Sequence, residues 1–372
     1  MKIFVIDTTV DGELIGGAHT FLTHLLSLEH ELHLITKGQP NKKIVIPPNV
    51  QLHTNLWTGL IDDATPMFAK WLNDQRPDIV VISASGDLGW TVLPLLDPSI
   101  ATVTIGHNDS ETFYAPARHY AKFLTHAIGV SDAICETYRN MGIPTTWIPY
   151  GVKASKEVHE HSEVKLVYVG RLDEHQKRVS DLVKIMNKVE FQLSVFGDGD
   201  GSSSLRFEVP YGRVVQYGWV DDVAGRLPDF DIFLLTSNYE GFCIALTEAM
   251  ANGCCPIVTD IRSGNKQLVQ DGKNGFVVPV GDVDAFVEKI NYLAENRYEL
   301  MRLRHAAWET GQQYSIDRMA ESYERSFERV TKDAREFQRV PDPAFPLMQS
   351  CRSKYPLPLR RLKAAVRSLV GL

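Results

Sequence analysis

The chain has 372 residues, of which 44% are hydrophobic and 23% charged, with a formal net charge of -7. That length is more than one hydrophobic core usually organises, and the composition excludes a disordered chain, a small disulfide scaffold and a membrane-embedded protein. The acidic balance leaves no overall electrostatic footprint for nucleic acid, so none is expected as a partner.

Short β-branched runs recur through the first half: Ile3 to Ile6, Leu32 to Thr36, Ile79 to Ser83, Val103 to Ile105 and Ala127 to Val130. Stretches of helical periodicity separate them, the pattern of a parallel sheet covered on both faces. Asp7 interrupts the first run too early for a secretory leader, and Cys135, Cys243, Cys254, Cys255 and Cys351 lack paired metal-ligand spacing. The expected setting is a reducing cytoplasm. No run approaches the roughly 18 uninterrupted apolar residues of a membrane span, so any membrane contact is expected at the surface.

Pro149 to Glu163 is polar and turn-forming at its start, as a hinge should be. A second series of strands follows it: KLVYVG near Val164, LSVFG from Leu193, VVQYG from Val214, FDIFLLT from Phe230, CPIVT from Cys255 and GFVVP from Gly275. Helical patterning from Asp282 to Val330 closes the series. The expected fold is α/β, two doubly wound Rossmann-like domains at 1–150 and 151–330 facing a cleft, with a tail at 331–372. Pro341 to Pro358 is proline-rich and expected to be irregular. Beyond it the tail regains apolar periodicity, and from Arg352 to Leu372 it carries six positive charges and no acid. Such a basic amphipathic segment, over 357–372, suits an anionic membrane surface; the competing reading is docking of its apolar stripe on the protein itself.

Chemistry concentrates in Ser237 to Gly253, SNYEGFCIALTEAMANG, after the apolar strand DIFLLT. Gly241 supplies a turn, Phe242 to Met250 reads as a helix and Gly253 stops it. A helix beginning at the carboxyl end of a strand presents free amides and a positive dipole end, which suit a phosphate or a sugar oxygen, and Glu240 can bind hydroxyls beside them. After the strand VKLVYV, Arg171 and Lys177 stand six residues apart in GRLDEHQK. Two fixed cations there can hold a diphosphate and neutralise a departing nucleotide without a metal. Asp198-Gly199-Asp200 reads as a glycine turn after a strand, and His159-Glu160-His161 as adjacent side chains in a linker, so no metal is expected.

At these residues the sequence resembles the retaining family-4-type glycosyltransferases of the GT-B architecture. That family pairs two glutamates eight positions apart, as Glu240 and Glu248 are, with an arginine and a lysine six apart, as Arg171 and Lys177 are. Further resemblances run in the family's order: Gly16-Gly17 after the first strand, His107 in HND, GVS at Gly129, IPYGV at Ile148 and GDG at Gly197. Tyr150 departs from a usual Asn, Gln267 from a usual Glu, and Cys243 from a usual Pro or Gly; the cysteine reads as structural.

The resemblance implies transfer of a hexosyl group from a nucleotide sugar, a UDP-sugar, to a hydroxyl acceptor with retention, the first domain being the acceptor side; the basic tail points to a lipid-linked or cell-surface glycan as that acceptor. Arg171 and Lys177 would hold the diphosphate, Glu248 the ribose, and Glu240 the donor sugar beside the amides of Phe242 and Cys243. Gly16 and Gly17 would let backbone approach a substrate, and His107 would meet the sugar from the first domain. No other cofactor is implied. The alternatives are an epimerase or a non-catalytic sugar-binding scaffold on the same fold. A dinucleotide oxidoreductase is disfavoured because no convincing G-x-G-x-x-G follows the first strand.

Overall fold

The computed structural model describes residues 1–8, 22–41, 44–56, 60–84, 86–262, 264–336 and 339–346. Gly16, Gly17 and the basic segment 357–372 lie outside the described residues. The chain divides into two compact units, one of Met1–Gly129, Cys135–Trp147 and the described part of Ser322–Leu372, the other of Val130–Ile134 and Ile148–Glu321.

The first unit is built on a sheet of β1 (Lys2–Ile6), β2 (Glu31–Ile35), β3 (Gln51–His53), β4 (Ile79–Ile82), β5 (Ala101–Gly106), β6 (His126–Gly129) and β7 (Thr145–Trp147). Their order is β3-β2-β1-β4-β5-β6-β7, with every pairing parallel. β4, β5 and β6 are buried along their whole length. Covering on both faces is what lets them be continuous apolar runs. The strand order reverses between β1 and β4, where a doubly wound sheet opens a crevice beyond its carboxyl ends. Two strands are absent from the sequence reading, β3 (QLH) and β7 (TTW). Both are three-residue edge strands whose burial is partial, so neither needs an apolar run.

The second unit repeats the design with β8 (Leu166–Val169), β9 (Leu193–Phe196), β10 (Val214–Gly218), β11 (Ile232–Leu235), β12 (Cys255–Thr259) and β13 (Phe276–Val278). The order β10-β9-β8-β11-β12-β13 is again parallel throughout and reverses between β8 and β11. Leu166, Leu193, Ile232 and Ile257 from the strands pack with Leu182, Phe286, Ile290 and Leu300 from helices in one core. The spacing of Phe286, Ile290 and Leu293 along Val283–Glu295 keeps one helical face on that core.

The stretch expected as a hinge, Pro149 to Glu163, is fastened to the second unit. Val152 donates its N–H to the Tyr314 carbonyl at 2.8 Å and Ser155 donates to Ala251 at 3.2 Å. His161 meets the Asp231 carboxylate at 3.0 Å. Asp231 and Arg304 are a fully buried ion pair at 2.6 Å, and Asp231 also accepts the Lys165 N–H at 3.0 Å. Hydrogen bonds on both carboxylate oxygens are what make such a burial tolerable. The polar composition of this stretch therefore reflects hydrogen bonding to helix and strand ends rather than slack.

The final helix, Ile316–Glu336, runs past the expected end at Val330, and from Ser322 it counts with the first unit. Met319, Tyr323, Phe327, Val330 and Ala334 form its buried stripe. The proline-rich stretch begins irregular, as expected, yet fastened. Arg339, buried, donates to the carbonyls of Leu96 and Asp97, and the Asp342 N–H reaches the Pro94 carbonyl at 2.8 Å. Phe345 packs edge-on against Phe123 with ring centres 4.8 Å apart. Among the described residues no helix is long and apolar enough to cross a membrane.

Candidate functional site

Around the reversal point of the second sheet, the loops leaving three strands are laced together. The loop leaving β8 is pinned to the loop leaving β9: Gly170 donates to Phe196 at 3.0 Å, Leu172 to Asp198 at 2.9 Å and Gly201 to Leu172 at 2.8 Å. The approach is close enough to require glycine. A Cβ on Gly197 (φ +137°) would lie 1.9 Å from the Gly170 oxygen, and one on Gly199 (φ +150°) 2.6 Å from the Leu172 oxygen. The loop leaving β11 is pinned from the other side, with the Thr236 hydroxyl donating to the Lys177 carbonyl at 2.7 Å and the Asn238 N–H to the Gln176 carbonyl at 2.8 Å. Asp173 caps the short Glu174–Lys177 helix by accepting the Gln176 N–H.

This lacing brings Lys177 to Glu240. The Lys177 ammonium lies 2.6 Å from Glu240 Oε1, both side chains nearly buried at 10% and 7% exposure. Ser237 donates its hydroxyl to the same oxygen at 2.6 Å, and Gln176 donates its amide to Oε2 at 3.3 Å. The Gln176 carbonyl oxygen accepts from the Arg171 guanidinium at 2.8 Å, so Arg171, Gln176, Glu240 and Lys177 are one network. Arg171 is its open end, with 44% of its side chain exposed. Burial pulls the Lys177 ammonium down, but Glu240, helped by further neighbours, outweighs burial and holds it above its ordinary value. Lys177 is thus a permanent cation.

The helix after Glu240 spans Ile244–Ala251, two residues later than the sequence suggests, because Cys243 is still extended (ψ 100°) as the residue before it. Gly253 ends it as expected, in the left-handed region, with Gly253 N–H to Met250 and Cys254 N–H to Ala249. Phe242 is buried edge-on against Tyr150 at 5.9 Å, which accounts for the aromatic departure at that position. Burial, with Glu240 adding to it, pushes the Cys243 thiol up to about 12. That thiol is no nucleophile.

Glu248 has different neighbours from Glu240. It is half-buried, and burial first and Asp222 second push its carboxyl up to about 7, with Lys153 opposing. Gln267 accepts the Asp132 N–H at 3.1 Å. The acidic turn is closed on itself: Asp198 accepts from Gly199 N–H and the Ser202 hydroxyl, each at 2.8 Å. Among the described residues no group of three or more His, Cys, Asp or Glu is arranged to hold a metal ion.

In the first unit His107 is buried and its Nε2 lies 2.9 Å from the Ser83 hydroxyl, which in turn reaches Asp7 Oδ2 at 3.0 Å. Gln176, Ser237, Ser83 and Asp7 were not expected from sequence as site residues. For Gln176 and Ser237 a signal existed, their places next to Lys177 in GRLDEHQK and three residues before Glu240 in SNYEG; Ser83 and Asp7 are visible only once neighbouring strands are assigned.

Residues 163–296 match the family profile described as glycosyl transferases group 1. The chain is 30% identical over 249 residues to the lipopolysaccharide 1,6-galactosyltransferase of Salmonella typhimurium, covering 60% of this chain and 67% of that enzyme. Among solved structures, Alr3699/HepE of Anabaena in complex with UDP matches with a TM-score of 0.74 at 18% identity, over 88% of this chain and 100% of that one. The lipopolysaccharide outer core galactosyltransferase WaaB in its apo form matches with a TM-score of 0.69 at 20% identity, over 88% and 99%. The structural likenesses carry the fold, two Rossmann-like units of the GT-B type, and the sequence likenesses carry the family. The chain belongs to the group 1 glycosyl transferases and is a nucleotide-sugar-dependent glycosyltransferase.

Proposed function

We propose that the enzyme moves a hexosyl group from a UDP-sugar to a hydroxyl of a lipid-linked or cell-surface glycan, with retention at the anomeric carbon. The observation that carries this reading is the Arg171–Gln176–Glu240–Lys177 network at the β8/β11 reversal. The leaving group is a nucleoside diphosphate on which negative charge grows as the glycosidic bond breaks. Arg171 and Lys177 are two fixed cations for it, and neither needs to reorganise when that charge appears. Glu240, oriented by Ser237 and Gln176, takes the donor sugar's hydroxyls beside the amides of Phe242 and Cys243. Glu248 takes the ribose, and His107 the sugar. The Cys243 thiol is held protonated, and the Glu240 carboxylate is engaged by Lys177, Ser237 and Gln176, so this reading takes no side chain as a nucleophile. The departing phosphate then accepts the acceptor's proton while the acceptor oxygen bonds to the same face, which retains configuration.

Two relatives inform the substrates. The Salmonella enzyme is named for galactosyl transfer to lipopolysaccharide, and the Anabaena protein is crystallised with UDP. We assign the basic segment 357–372 to an anionic membrane surface that would present a lipid-linked acceptor. Removing Leu357 to Leu372 should move the protein from membrane to soluble fractions, and unchanged partitioning refutes that assignment.

A thermal-shift comparison of UDP, GDP and ADP tests the donor site, because a ligand of the native state raises its melting temperature. UDP is expected to stabilise the wild type and to lose that effect in Arg171→Ala, whose side chain is exposed enough to remove without loss of fold. Stabilisation by GDP or ADP alone overturns the choice of UDP. Transfer with inversion, read from the anomeric coupling constant of the product, overturns retention.

A further inference from the structure

Asp7, Ser83 and His107 are each the first residue beyond a strand, after β1, β4 and β5 respectively. Those three strands are neighbours with β4 in the middle, in register Ile6 to Ile82 and Ile82 to Thr104. The sheet therefore sets Ser83 between the other two, and all three side chains are buried, at 1%, 4% and 8% exposure. We propose that Ser83 and Asp7 are positioning residues that hold His107 as the tautomer protonated on Nε2.

The assignment follows from counting protons. Asp7 Oδ2 accepts from the Ser83 hydroxyl at 3.0 Å and from the Ala84 N–H at 3.4 Å, so that oxygen is an acceptor on both sides. A serine hydroxyl has one proton, and here it points at Asp7. What the Ser83 oxygen turns toward His107 Nε2, 2.9 Å away, is a lone pair. Nε2 must supply the hydrogen, and in the neutral ring Nδ1 is then the basic nitrogen. Ser83 also lines a cavity of about 250 Å³ with Thr8, Trp90, Phe113 and Tyr138, so one member of the chain of hydrogen bonds abuts a space with mostly apolar walls.

Nitrogen-15 correlation spectra of the histidine-labelled full-length protein test the tautomer directly, with His107 assigned by its disappearance in His107→Gln. The expected wild-type pattern is Nε2 protonated, kept in Ser83→Thr and mixed in Ser83→Ala; a ring protonated on Nδ1 in the wild type overturns the proposal. For the kinetic role, which rests on the reading above, Ser83→Ala should lower kcat about tenfold with donor KM nearly unchanged. Ser83→Thr, which keeps the hydroxyl, should recover most of it. Unchanged kcat in Ser83→Ala overturns the positioning role. If His107→Ala keeps full kcat, the placing of His107 at the sugar fails, while the spectra still decide the tautomer.

Discussion

The two sheets reverse strand order at equivalent places and put opposite chemistry there. Beyond β1, β4 and β5 the first unit sets a chain of hydrogen bonds running from a carboxylate through a hydroxyl to an imidazole. Beyond β8 and β11 the second sets a buried ion pair with an exposed guanidinium at its open end. The backbone plan is shared, so the difference lies in a few residues at strand ends, and those residues decide what each crevice can bind. A diphosphate needs fixed cations; a sugar or acceptor hydroxyl needs a directed donor or acceptor.

The largest expected effect comes from removing the charge at the second reversal point. Glu240→Gln keeps the shape of the side chain and should lower kcat by about a hundredfold to a thousandfold, the order seen when one preorganised electrostatic partner is lost. Glu240→Ala is a poorer probe, because it leaves Lys177 buried and unpaired at a cost of about 3–5 kcal/mol. The double variant Lys177→Met with Glu240→Leu should recover most of that stability in urea denaturation while remaining inactive. A double variant that still transfers sugar would show the ion pair to be scaffolding and erase the contrast between the two units.

Next in size is a backbone effect. Gly197→Ala forces a methyl group to within 1.9 Å of the Gly170 oxygen. We expect a loss of about 3 kcal/mol or more in denaturant unfolding, from clash and left-handed backbone together. The UDP thermal shift should weaken with it, since Arg171 follows Gly170. In the first unit, a Cβ on Gly86 meets only the Thr8 hydroxyl, at 3.3 Å. Gly86→Ala should cost under about 1 kcal/mol. Equal costs would contradict the tighter lacing claimed for the second unit.

Glu248 gives a pH dependence whose sign is fixed. Its carboxyl titrates at about 7 in the fold against an ordinary 4.5, so between those values the folded state holds the extra proton and stability falls as pH rises. Above about 7 the penalty is complete. Glu248→Gln should remove this slope and, at pH 8, stabilise the protein by about 1–2 kcal/mol in thermal or urea unfolding. If Glu248 takes the ribose as proposed, binding calls for the ionised form, so donor KM in the wild type should fall as pH rises through about 7. A flat profile in the wild type would separate Glu248 from the donor.

How much of this could be read from sequence follows from what each feature depends on. The interior strands were legible because two-sided burial makes them unbroken apolar runs, whereas Gln51–His53 and Thr145–Trp147 sit at sheet edges and carry no such run. The Arg171, Lys177 and Glu240 motifs were legible as residue types at fixed spacing. Their union was not, because Lys177 and Glu240 are 63 residues apart and are brought together by bonds between loops, among them the Thr236 hydroxyl on the Lys177 carbonyl and the Asn238 N–H on the Gln176 carbonyl. Asp7 reads in sequence only as the end of an apolar run; pairing β1 with β4 and β4 with β5 is what gives it Ser83 and then His107 as neighbours.

The smallest expected effect concerns the cysteine that a reader of the sequence alone would be tempted to make a nucleophile. Cys243 lies in the second unit between Glu240 and the Ile244–Ala251 helix, and its thiol is pushed up to about 12 by burial and by Glu240. At neutral pH the reactive thiolate is a negligible fraction. On the proposed reading the position contributes its backbone amide beside the helix start, and that survives Cys243→Ala. The variant should keep kcat within about threefold of wild type, since only a small buried group is lost. Iodoacetamide should leave the native protein's Cys243 unlabelled while alkylating it after denaturation, which mass spectrometry of the Cys243 peptide reads. Labelling of the native protein, or loss of turnover in Cys243→Ala, would move covalent chemistry into this unit and replace the ion pair as the feature that separates it from the other.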